Sequence, residues 1–277
     1  MARTKQPRIE IEGATVVVTG AGSGIGRATA LAFARKGSNV VCADIDAASA
    51  EKVAASCEEA GARAASGHGV DVRDRRAVEA LARQVGTDHG SVGVLVNNAG
   101  VGMSGRFTDM SLADWEWIRS VNLDGVVNGC AAFGPAMLEA GRGHVVNVSS
   151  GLGYIPTATE PAYVATKAAV LALSQCLRAD WSASGVGVTA ICPGVINTPI
   201  IDTTRFLGEA GNPDRRAKTT KAFRRGHKPE QVADAIVDAV ERDRSVVPVG
   251  IEARIGWMIH RLAPISFQQA IARKGMS

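Results

Sequence analysis

Residues 19–26 read Thr-Gly-Ala-Gly-Ser-Gly-Ile-Gly, a turn in which every second residue is glycine. An apolar run, ATVVVT at 14–19, precedes this turn, and a helical pattern from about Ile25 to Lys36 follows it. Glycines permit a tight turn there and a close approach of the backbone to a ligand. The positive end of the following helix dipole favours an anion such as a pyrophosphate. The stretch therefore predicts a strand, a phosphate-binding turn and a helix; a tight turn without a ligand is the alternative.

The same alternation of apolar runs and helical patterns continues along the chain. Short apolar runs predict strands near 39–43, 63–72, 92–97, 143–148, 186–192 and 245–249. Helical patterns fill the spaces between them, near 47–60, 74–89, 111–140, 161–184 and 229–243. Such successive βαβ units build a parallel sheet. The sequence predicts an α/β fold: one doubly wound parallel-sheet domain of the Rossmann type over residues 1–250, with helices on both faces. An amphipathic extension follows over 251–277.

The composition excludes several classes of protein. The 277 residues carry a net charge of +4 and a pI near 8.9, well short of the balance of a nucleic-acid binder. The five cysteines are widely spread without a C-x-x-C pair, which argues against disulfides and predicts no metal site. The N-terminal residues lack the apolar segment of a secretory signal, and no stretch is apolar enough to span a bilayer. These observations predict a cytoplasmic protein.

Asp44 bears on the choice of ligand. It lies 18 residues after Gly26, at the end of the second predicted strand. A carboxylate at that place accepts hydrogen bonds from the adenosine ribose and repels a 2′-phosphate. Ile45 and Ser23 add no positive charge beside it. Asp44 therefore favours NAD over NADP, and Arg27 is the residue that opposes this preference.

Tyr163 and Lys167 form the clearest chemical pair. They lie four residues apart, so both side chains project from one face of the predicted helix. A tyrosine with its ordinary pKa of about 10 is a poor base at neutral pH. A nearby ammonium favours the phenolate, so we expect the lysine to lower the tyrosine pKa. For an isolated pair of this kind, the alternative is that both residues are ordinary surface side chains without a chemical role.

These motifs together resemble the short-chain dehydrogenase/reductase family. They occur in the family's order: T-G-x-x-x-G-x-G at 19–26, D-V at 71–72, N-N-A-G at 97–100, Asn122, Ser150, Y-x-x-x-K at 163–167, and P-G with Thr198 at 193–198. Ser150 rather than Ser149 matches the family's serine, because it lies 13 residues before Tyr163. The resemblance covers about residues 10–250 and implies an NAD(P)-dependent oxidoreductase acting on CH–OH groups.

The resemblance implies a role for each matched residue. Tyr163 would be the general base in alcohol oxidation and the general acid in ketone reduction. Lys167 would bind the nicotinamide ribose, Ser150 would orient the reacting oxygen, and Asn122 would hold a water that connects Lys167 to solvent. The implied cofactor contacts are Gly20, Ser23, Gly24, Ile25, Gly26, Asp44, Asp71, Val72, Asn98, Ala99, Gly100, Tyr163, Lys167, Pro193, Gly194, Ile196 and Thr198.

Three functions agree with this pattern. The first is an NAD-dependent oxidoreductase that interconverts a secondary alcohol and a ketone. The second is an NADP-dependent 3-oxoacyl reductase acting on a carrier-protein or CoA substrate, which Asp44 opposes. The third is a dinucleotide-binding regulator without catalysis, which the presence of both Tyr163 and Lys167 opposes. We expect a lipophilic substrate, because the pocket residues Leu152, Tyr154 and Ile155 are apolar or aromatic.

The last part of the chain is basic. Residues 1–214 carry 18 basic and 21 acidic side chains, whereas residues 215–277 carry 13 and 6. Seven cations lie within 215–228, in the expected substrate lid at about 195–228. This segment is either a solvated face or a recognition site for an anionic substrate.

The predicted tail helix, interrupted at Pro264, covers the core or a subunit interface in preference to a membrane surface. We expect a homodimer or homotetramer formed through helices 114–140 and 161–184, with Trp115, Trp117 and Trp181 as contributors. Burial of these tryptophans within the monomer is the alternative.

Overall fold

A seven-stranded parallel sheet forms the centre of the computed structural model, which describes residues 9–274 and their side chains as far as 270. The strand order is β3-β2-β1-β4-β6-β7-β9, and all six neighbouring pairs are parallel. The chain turns back between β1 and β4, which creates a crevice at the carboxyl ends of the strands. The strands of this sheet are β1 (Thr15–Thr19), β2 (Asn39–Asp44), β3 (Ala64–Gly69), β4 (Val94–Asn97), β6 (Gly143–Val148), β7 (Val186–Pro193) and β9 (Val246–Val249). This confirms the predicted doubly wound sheet.

Helices cover both faces of the sheet. The helices up to residue 241 are α1 (Gly24–Ala34), α2 (Ala47–Glu59), α3 (Arg75–His89), α4 (Leu112–Arg119), α5 (Gly125–Glu139), α6 (Pro161–Trp181), α7 (Ile200–Thr203), α8 (Pro213–Arg224) and α9 (Pro229–Glu241), of which α7 and α8 belong to the lid. Capping explains several of the starts: the Asp46 and Asp74 carboxylates accept backbone N–H bonds at α2 and α3. Ser111 and Asp114 form a capping box at α4.

Alternating side chains of each strand supply the two halves of the core. Val16 and Val18 of β1 join one apolar cluster with residues of α1 and α9, whereas Val17 joins the opposite cluster with residues of α3 and α5. All three valines are fully buried. Because both faces of a parallel sheet are covered, its strands are continuous apolar runs rather than alternating patterns. The sheet therefore rigidly fixes the positions of the strand ends.

The long helix predicted over 111–140 is not regular. A π-helical turn, Ser120–Asp124, separates α4 from α5.

The lid also contains more regular secondary structure than its sequence pattern predicted. A short parallel pair joins β5 (Met103–Ser104) to β8 (Arg205–Phe206), and α8 occupies most of the basic segment.

Two helices form the tail, α10 (Ile251–Leu262) and α11 (Ile265–Lys274), with the break at Pro264 that the sequence predicted. The inner side of α10 buries Ala253 and Gly256 against the domain, and Trp257 packs edge-on against Tyr154. This agrees with the prediction that the tail covers the core, while Met258 and Leu262 on its outer side are exposed. No helix of the described residues is long and apolar enough to cross a membrane. Residues 1–8, which belong to the N-terminal stretch that argues against a secretory signal, lie outside the residues that the structure describes. The domain boundary at residue 250 stays a prediction.

Candidate active site

A cavity of about 720 Å³ opens at the carboxyl ends of the central strands. Its walls come from the glycine-rich turn after β1, the segments after β2, β4, β6 and β7, the first turn of α6, and the lid. This is the crevice in which open α/β sheets bind their ligands. The strand ends belong to the buried core, and the connecting segments supply most of the cavity walls.

The glycine-rich turn forms one end of the cavity. Gly20 and Gly24 adopt positive φ angles of 63° and 51°, a conformation that side chains disfavour. A Cβ atom on Gly26 would collide with the Gly20 carbonyl oxygen and lie 2.6 Å from Asn98 Nδ2. Gly26 therefore permits the close packing of α1 on the turn rather than lining the cavity. The N-terminus of α1 begins at Gly24, beside the cavity wall.

Asn98 and Thr19 tie this turn to the segment after β4. Asn98 Nδ2 donates to the carbonyl oxygens of Thr19 and Gly20, at 2.9 and 3.1 Å. The Thr19 hydroxyl accepts the backbone N–H groups of Asn98 and Ala99, at 3.0 and 3.1 Å. The motifs at 19–26 and 97–100 thus act as one unit, because each satisfies the polar groups of the other.

Two carboxylates line the part of the cavity nearest the turn. Asp44 accepts the Gly22 N–H at 2.8 Å and the Asp46 N–H at 3.0 Å. Asp71 forms a bidentate ion pair with Arg73, which holds the pKa of its carboxyl below the ordinary value. Among the described residues that line the cavity, Arg73 and Lys167 are the only lysine or arginine side chains. Arg27 does not line it.

Ser150, Tyr163 and Lys167 converge on the opposite wall. Ser150 follows β6 and its hydroxyl accepts the Leu152 N–H at 3.1 Å, and the same hydroxyl lies close enough to the Tyr163 phenol to act on the phenol pKa. The Lys167 ammonium donates to the Val148 carbonyl at 3.0 Å and lies 5.8 Å from the centre of the Tyr163 ring. The Ser149 hydroxyl instead donates to the Lys167 carbonyl, away from the cavity centre. The geometry supports the choice of Ser150 over Ser149.

Burial dominates the electrostatics of this wall. It raises the pKa of Tyr163 to about 12, against the smaller lowering effect of the Ser150 hydrogen bond. Burial likewise lowers the pKa of Lys167 to about 8. The expected lowering of the Tyr163 pKa by Lys167 therefore stays a prediction, and in the polypeptide itself the loss of hydration raises this pKa.

Asn122 stands behind this wall, in the π-helical turn. It is fully buried, and its side-chain amide exchanges two hydrogen bonds with the Val101 backbone, at 2.8 and 3.0 Å. A longer bond of 3.4 Å reaches Thr166 in α6. π-helical turns interrupt helices at functional sites. Here the turn lets the Asn122 side chain connect the segment after β4 with α6.

The segment after β7 covers the cavity. Thr198 contacts the glycine-rich turn, because a Cβ on Gly24 would lie 3.2 Å from its side chain. The lid continues the wall with the apolar residues Ile201, Phe206 and Phe223. The structure describes all seven lysines and arginines within 215–228, and none of them lines the cavity. Their position favours the interpretation as a solvated face.

The structure brings most of the sequence-predicted residues together. Those that line the cavity are Gly20, Ser23, Gly24, Ile25, Asp44, Asp71, Val72, Asn98, Ala99, Gly100, Ser150, Tyr163, Lys167, Pro193, Gly194, Ile196 and Thr198. Gly26 and Asn122 lie directly behind the wall. Tyr154, expected in the substrate pocket, instead turns away and donates a hydrogen bond to the Ala253 carbonyl at 2.7 Å.

Sequence reasoning missed several residues of the cavity, and Glu160 and Trp117 are two of them. Glu160 immediately precedes α6 and faces the cavity near Tyr163. Trp117 of α4 lines it too, with the Arg205 guanidinium 3.7 Å from the ring centre on its other side. An acidic residue before a helix is typical of a favourable charge at the helix N-terminus, so no sequence pattern indicated that Glu160 faces a ligand site.

Comparisons with known proteins agree with this geometry. The profile of the short chain dehydrogenase family matches residues 14–205. The probable oxidoreductase EphD of Mycobacterium tuberculosis is 45% identical over 269 residues, covering 95% of this chain and 45% of the relative. The putative oxidoreductase SadH of the same species is 36% identical, covering 94% of this chain and 95% of the relative. The chain belongs to the short-chain dehydrogenase/reductase family.

Solved structures show the same architecture. A short chain dehydrogenase/reductase from Burkholderia phymatum in complex with NAD superimposes with a TM-score of 0.84 at 30% identity, covering 95% of this chain and 96% of that one. A putative NAD(P)-dependent gluconate 5-dehydrogenase from Beutenbergia cavernae with bound NADP has a TM-score of 0.74 at 32% identity, covering 87% of this chain and 97% of that one. The chain spans about half the length of EphD, the first relative it matches. Both nicotinamide dinucleotides thus occur among similar structures.

Proposed function

We propose that the protein is an NAD-dependent oxidoreductase that interconverts a secondary alcohol and a ketone, with Tyr163 as the general acid and base. The observation that carries the proposal is the convergence of Ser150, Tyr163 and Lys167 on one wall of a cavity. The far end of the same cavity is the glycine-rich turn. A single chamber thus brings a dinucleotide-type turn and a proton-transfer group together.

The residues present fit a nicotinamide dinucleotide. The N-terminus of α1 offers its dipole to a pyrophosphate at the cavity wall. Asp44 and Asp71 offer carboxylate oxygens at one end of the chamber, and Ser150 and Tyr163 lie on the wall at the other. When bound, the nicotinamide supplies or accepts the hydride. The polypeptide contributes binding, orientation and proton transfer.

Each residue of the wall has a proposed task. The Ser150 hydroxyl orients the substrate oxygen, and Tyr163 Oη takes the proton from an alcohol or gives one to a ketone oxygen. Lys167 places a positive charge beside the phenol, which favours the phenolate as the proton leaves. Asn122 is a positioning residue, because its amide fixes the Val101 backbone opposite these groups.

The proposed preference for NAD depends on Asp44. Its carboxylate lines the cavity where an adenosine ribose would approach, and a 2′-phosphate there would meet a like charge. Arg73 cannot readily offset this repulsion, because Asp71 holds its guanidinium through two short hydrogen bonds of 2.6 and 2.9 Å. Preference for NADP by about tenfold in kcat/KM would contradict the assignment.

The test is a panel of lipophilic secondary alcohols with NAD⁺ or NADP⁺ at alkaline pH, followed by the absorbance of the reduced nicotinamide. Tyr163→Phe is the control variant, because it removes one hydroxyl and leaves the aromatic ring that packs near Met103 and Ile118. Reduction of NAD⁺ that requires Tyr163 supports the proposal. Equal rates in the wild-type protein and in Tyr163→Phe would refute it.

We also propose that the protein is a homo-oligomer formed through α5 and α6. The outer side of α6 exposes the small side chains Ala165, Ala172 and Cys176, which allow a close helix approach. Of the three tryptophans considered, Trp181 is buried within the monomer and does not support this interface. Light scattering of the protein and of an Ala172→Glu variant tests the assignment, since a dimer or tetramer should dissociate. The predicted cytoplasmic location stays a prediction.

A further inference from the structure

Glu160 is an unusual member of the cavity wall. It lies directly before the first turn of α6, three residues ahead of Tyr163. Its side chain makes no capping hydrogen bond at the start of the helix, although a carboxylate there often does. The same cavity is also lined by the apolar side chains of Trp117, Leu152 and Ile155. A carboxyl group therefore faces a largely apolar chamber.

The other charged groups of the described cavity wall all have partners. Asp44 accepts two backbone N–H groups, and Asp71 pairs with Arg73. Lys167 donates to a strand carbonyl. Glu252 accepts the Val195 N–H at 2.7 Å and contacts the His227 ring at 3.0 Å.

For Glu160, no hydrogen bond or ion pair within the described chain engages the carboxyl group. The Glu160 side chain is half-buried, and this partial loss of hydration raises its pKa to about 7. A polar group that is desolvated without a partner carries a free-energy cost, and a ligand that supplies a donor removes this cost.

Glu160 is also close to the reacting position. Its charge acts on the Tyr163 phenol, whose pKa it raises further. Side chains three residues apart at a helix start lie on one side of the helix, with Cβ atoms about 5–6 Å apart. A substrate oxygen at Tyr163 therefore places the substituent of the adjacent carbon within reach of the Glu160 carboxylate.

We propose that Glu160 binds a hydrogen-bond donor, a hydroxyl or ammonium group, on the substrate carbon next to the reacting carbon. The substrate class is then a vicinal diol or amino alcohol, or the corresponding ketone, carried on an otherwise apolar skeleton. This inference rests on the proposed oxidoreductase function. It makes Glu160 a specificity residue that discriminates against simple alcohols, because these would leave its carboxylate unpaired.

The experiment compares matched pairs of alcohols. One pair is cyclohexanol and the vicinal cyclohexanediol; a larger pair is cyclododecanol and its vicinal diol. The vicinal aminocyclohexanol shows whether the preferred donor is charged. The measured quantity is the ratio of kcat/KM for the donor-bearing compound to kcat/KM for the simple alcohol, with NAD⁺. We expect the wild-type ratio to exceed about tenfold, as for a hydrogen bond to a charged group.

Two variants assign the preference to Glu160. Glu160→Met keeps the length of the side chain and removes its oxygens, so we expect the ratio to fall to about one. Glu252→Gln is the matched control, because it also lines the cavity but its oxygens are engaged by Val195 and His227; its ratio should stay near the wild-type value. Melting temperatures confirm that each variant is folded, and Glu160→Gln provides a second, nearly isosteric test.

The outcomes separate this inference from the proposed function. If the wild-type protein reduces NAD⁺ equally well with both members of each pair, the role of Glu160 is refuted and the oxidoreductase function stands. The same holds if Glu160→Met and Glu160→Gln both keep the preference for the donor-bearing compound. If no member of any pair is oxidised, the proposed function and the inference fall together.

Discussion

Replacing Gly26 by alanine adds a methyl group where the structure has no room. The new Cβ would collide with the Gly20 carbonyl oxygen and approach Asn98 Nδ2 to 2.6 Å. Asn98 Nδ2 itself donates two hydrogen bonds to Thr19 and Gly20. Overpacking costs about 1–3 kcal/mol, and two weakened hydrogen bonds cost about 1 kcal/mol each. We therefore expect a loss of about 3–5 kcal/mol in the free energy of unfolding.

Gly86→Ala is the matched control. Gly86 is exposed in α3, and nothing lies within 4 Å of a Cβ built on it. Alanine is the better helix former by about 0.5–1 kcal/mol, so the same chemical change should stabilise the protein there. Both variants carry the same chemical change, and they differ in the space around the new methyl group.

Thermal unfolding by circular dichroism measures both effects, and calorimetric titration with NAD⁺ measures binding. A loss of about 3–5 kcal/mol corresponds to a fall of about 5–9 °C in Tm for a protein of this size. We also expect weaker NAD⁺ binding, because the displaced turn no longer presents the N-terminus of α1 correctly. A Gly26→Ala protein that melts with the wild type and binds NAD⁺ equally well would refute the reasoning.

Three further changes have defined outcomes. Tyr163→Phe should lower kcat by about 10²-fold or more without a change in Tm, because it removes the proton-transfer group only; a smaller kcat loss would place that role elsewhere. Asp44→Asn should raise the NADP-to-NAD ratio of kcat/KM by about tenfold through loss of the repelling charge, and an unchanged ratio would contradict the assignment. Burial lowers the pKa of His144 from 6.5 to about 4, so its contribution to stability is present above pH 6.5 and is lost as the pH falls toward 4. Urea unfolding across this range should show the loss, and His144→Gln should flatten the curve; parallel curves would exclude His144 as the cause.

The sequence predicted the framework of the fold because the strands are continuous apolar runs and the helix starts carry explicit signals. In the structure Asp74 caps α3, Ser111 and Asp114 form the capping box of α4, and Pro229 is the first residue of α9. Pro248 lies in β9, the last strand of the sheet, and an edge strand is where a proline is tolerated. These features depend on residues close together in the chain, so local patterns suffice to find them.

The missed features depend on tertiary contacts. The π-helical turn is stabilised by the exchange of hydrogen bonds between Asn122 and Val101, 21 residues earlier in the chain. Residues of α8 show little helical periodicity because none of them is buried, so hydrophobic patterning cannot detect the helix. The raised pKa of Tyr163 likewise depends on burial by residues distant in sequence. No local pattern reports such effects.

The contact between Lys167 and the Val148 carbonyl has a consequence for the thermodynamics of ligand binding. Fixing a lysine side chain costs about 1.5–2 kcal/mol of conformational entropy. Here the β6 carbonyl holds the ammonium at 3.0 Å and the side chain is almost fully buried, so folding bears this cost. A ribose hydroxyl that meets Lys167 then gains a donor whose orientation is already fixed. The contact with the β6 carbonyl therefore orients Lys167 before a ligand binds, and the ligand does not have to order this side chain.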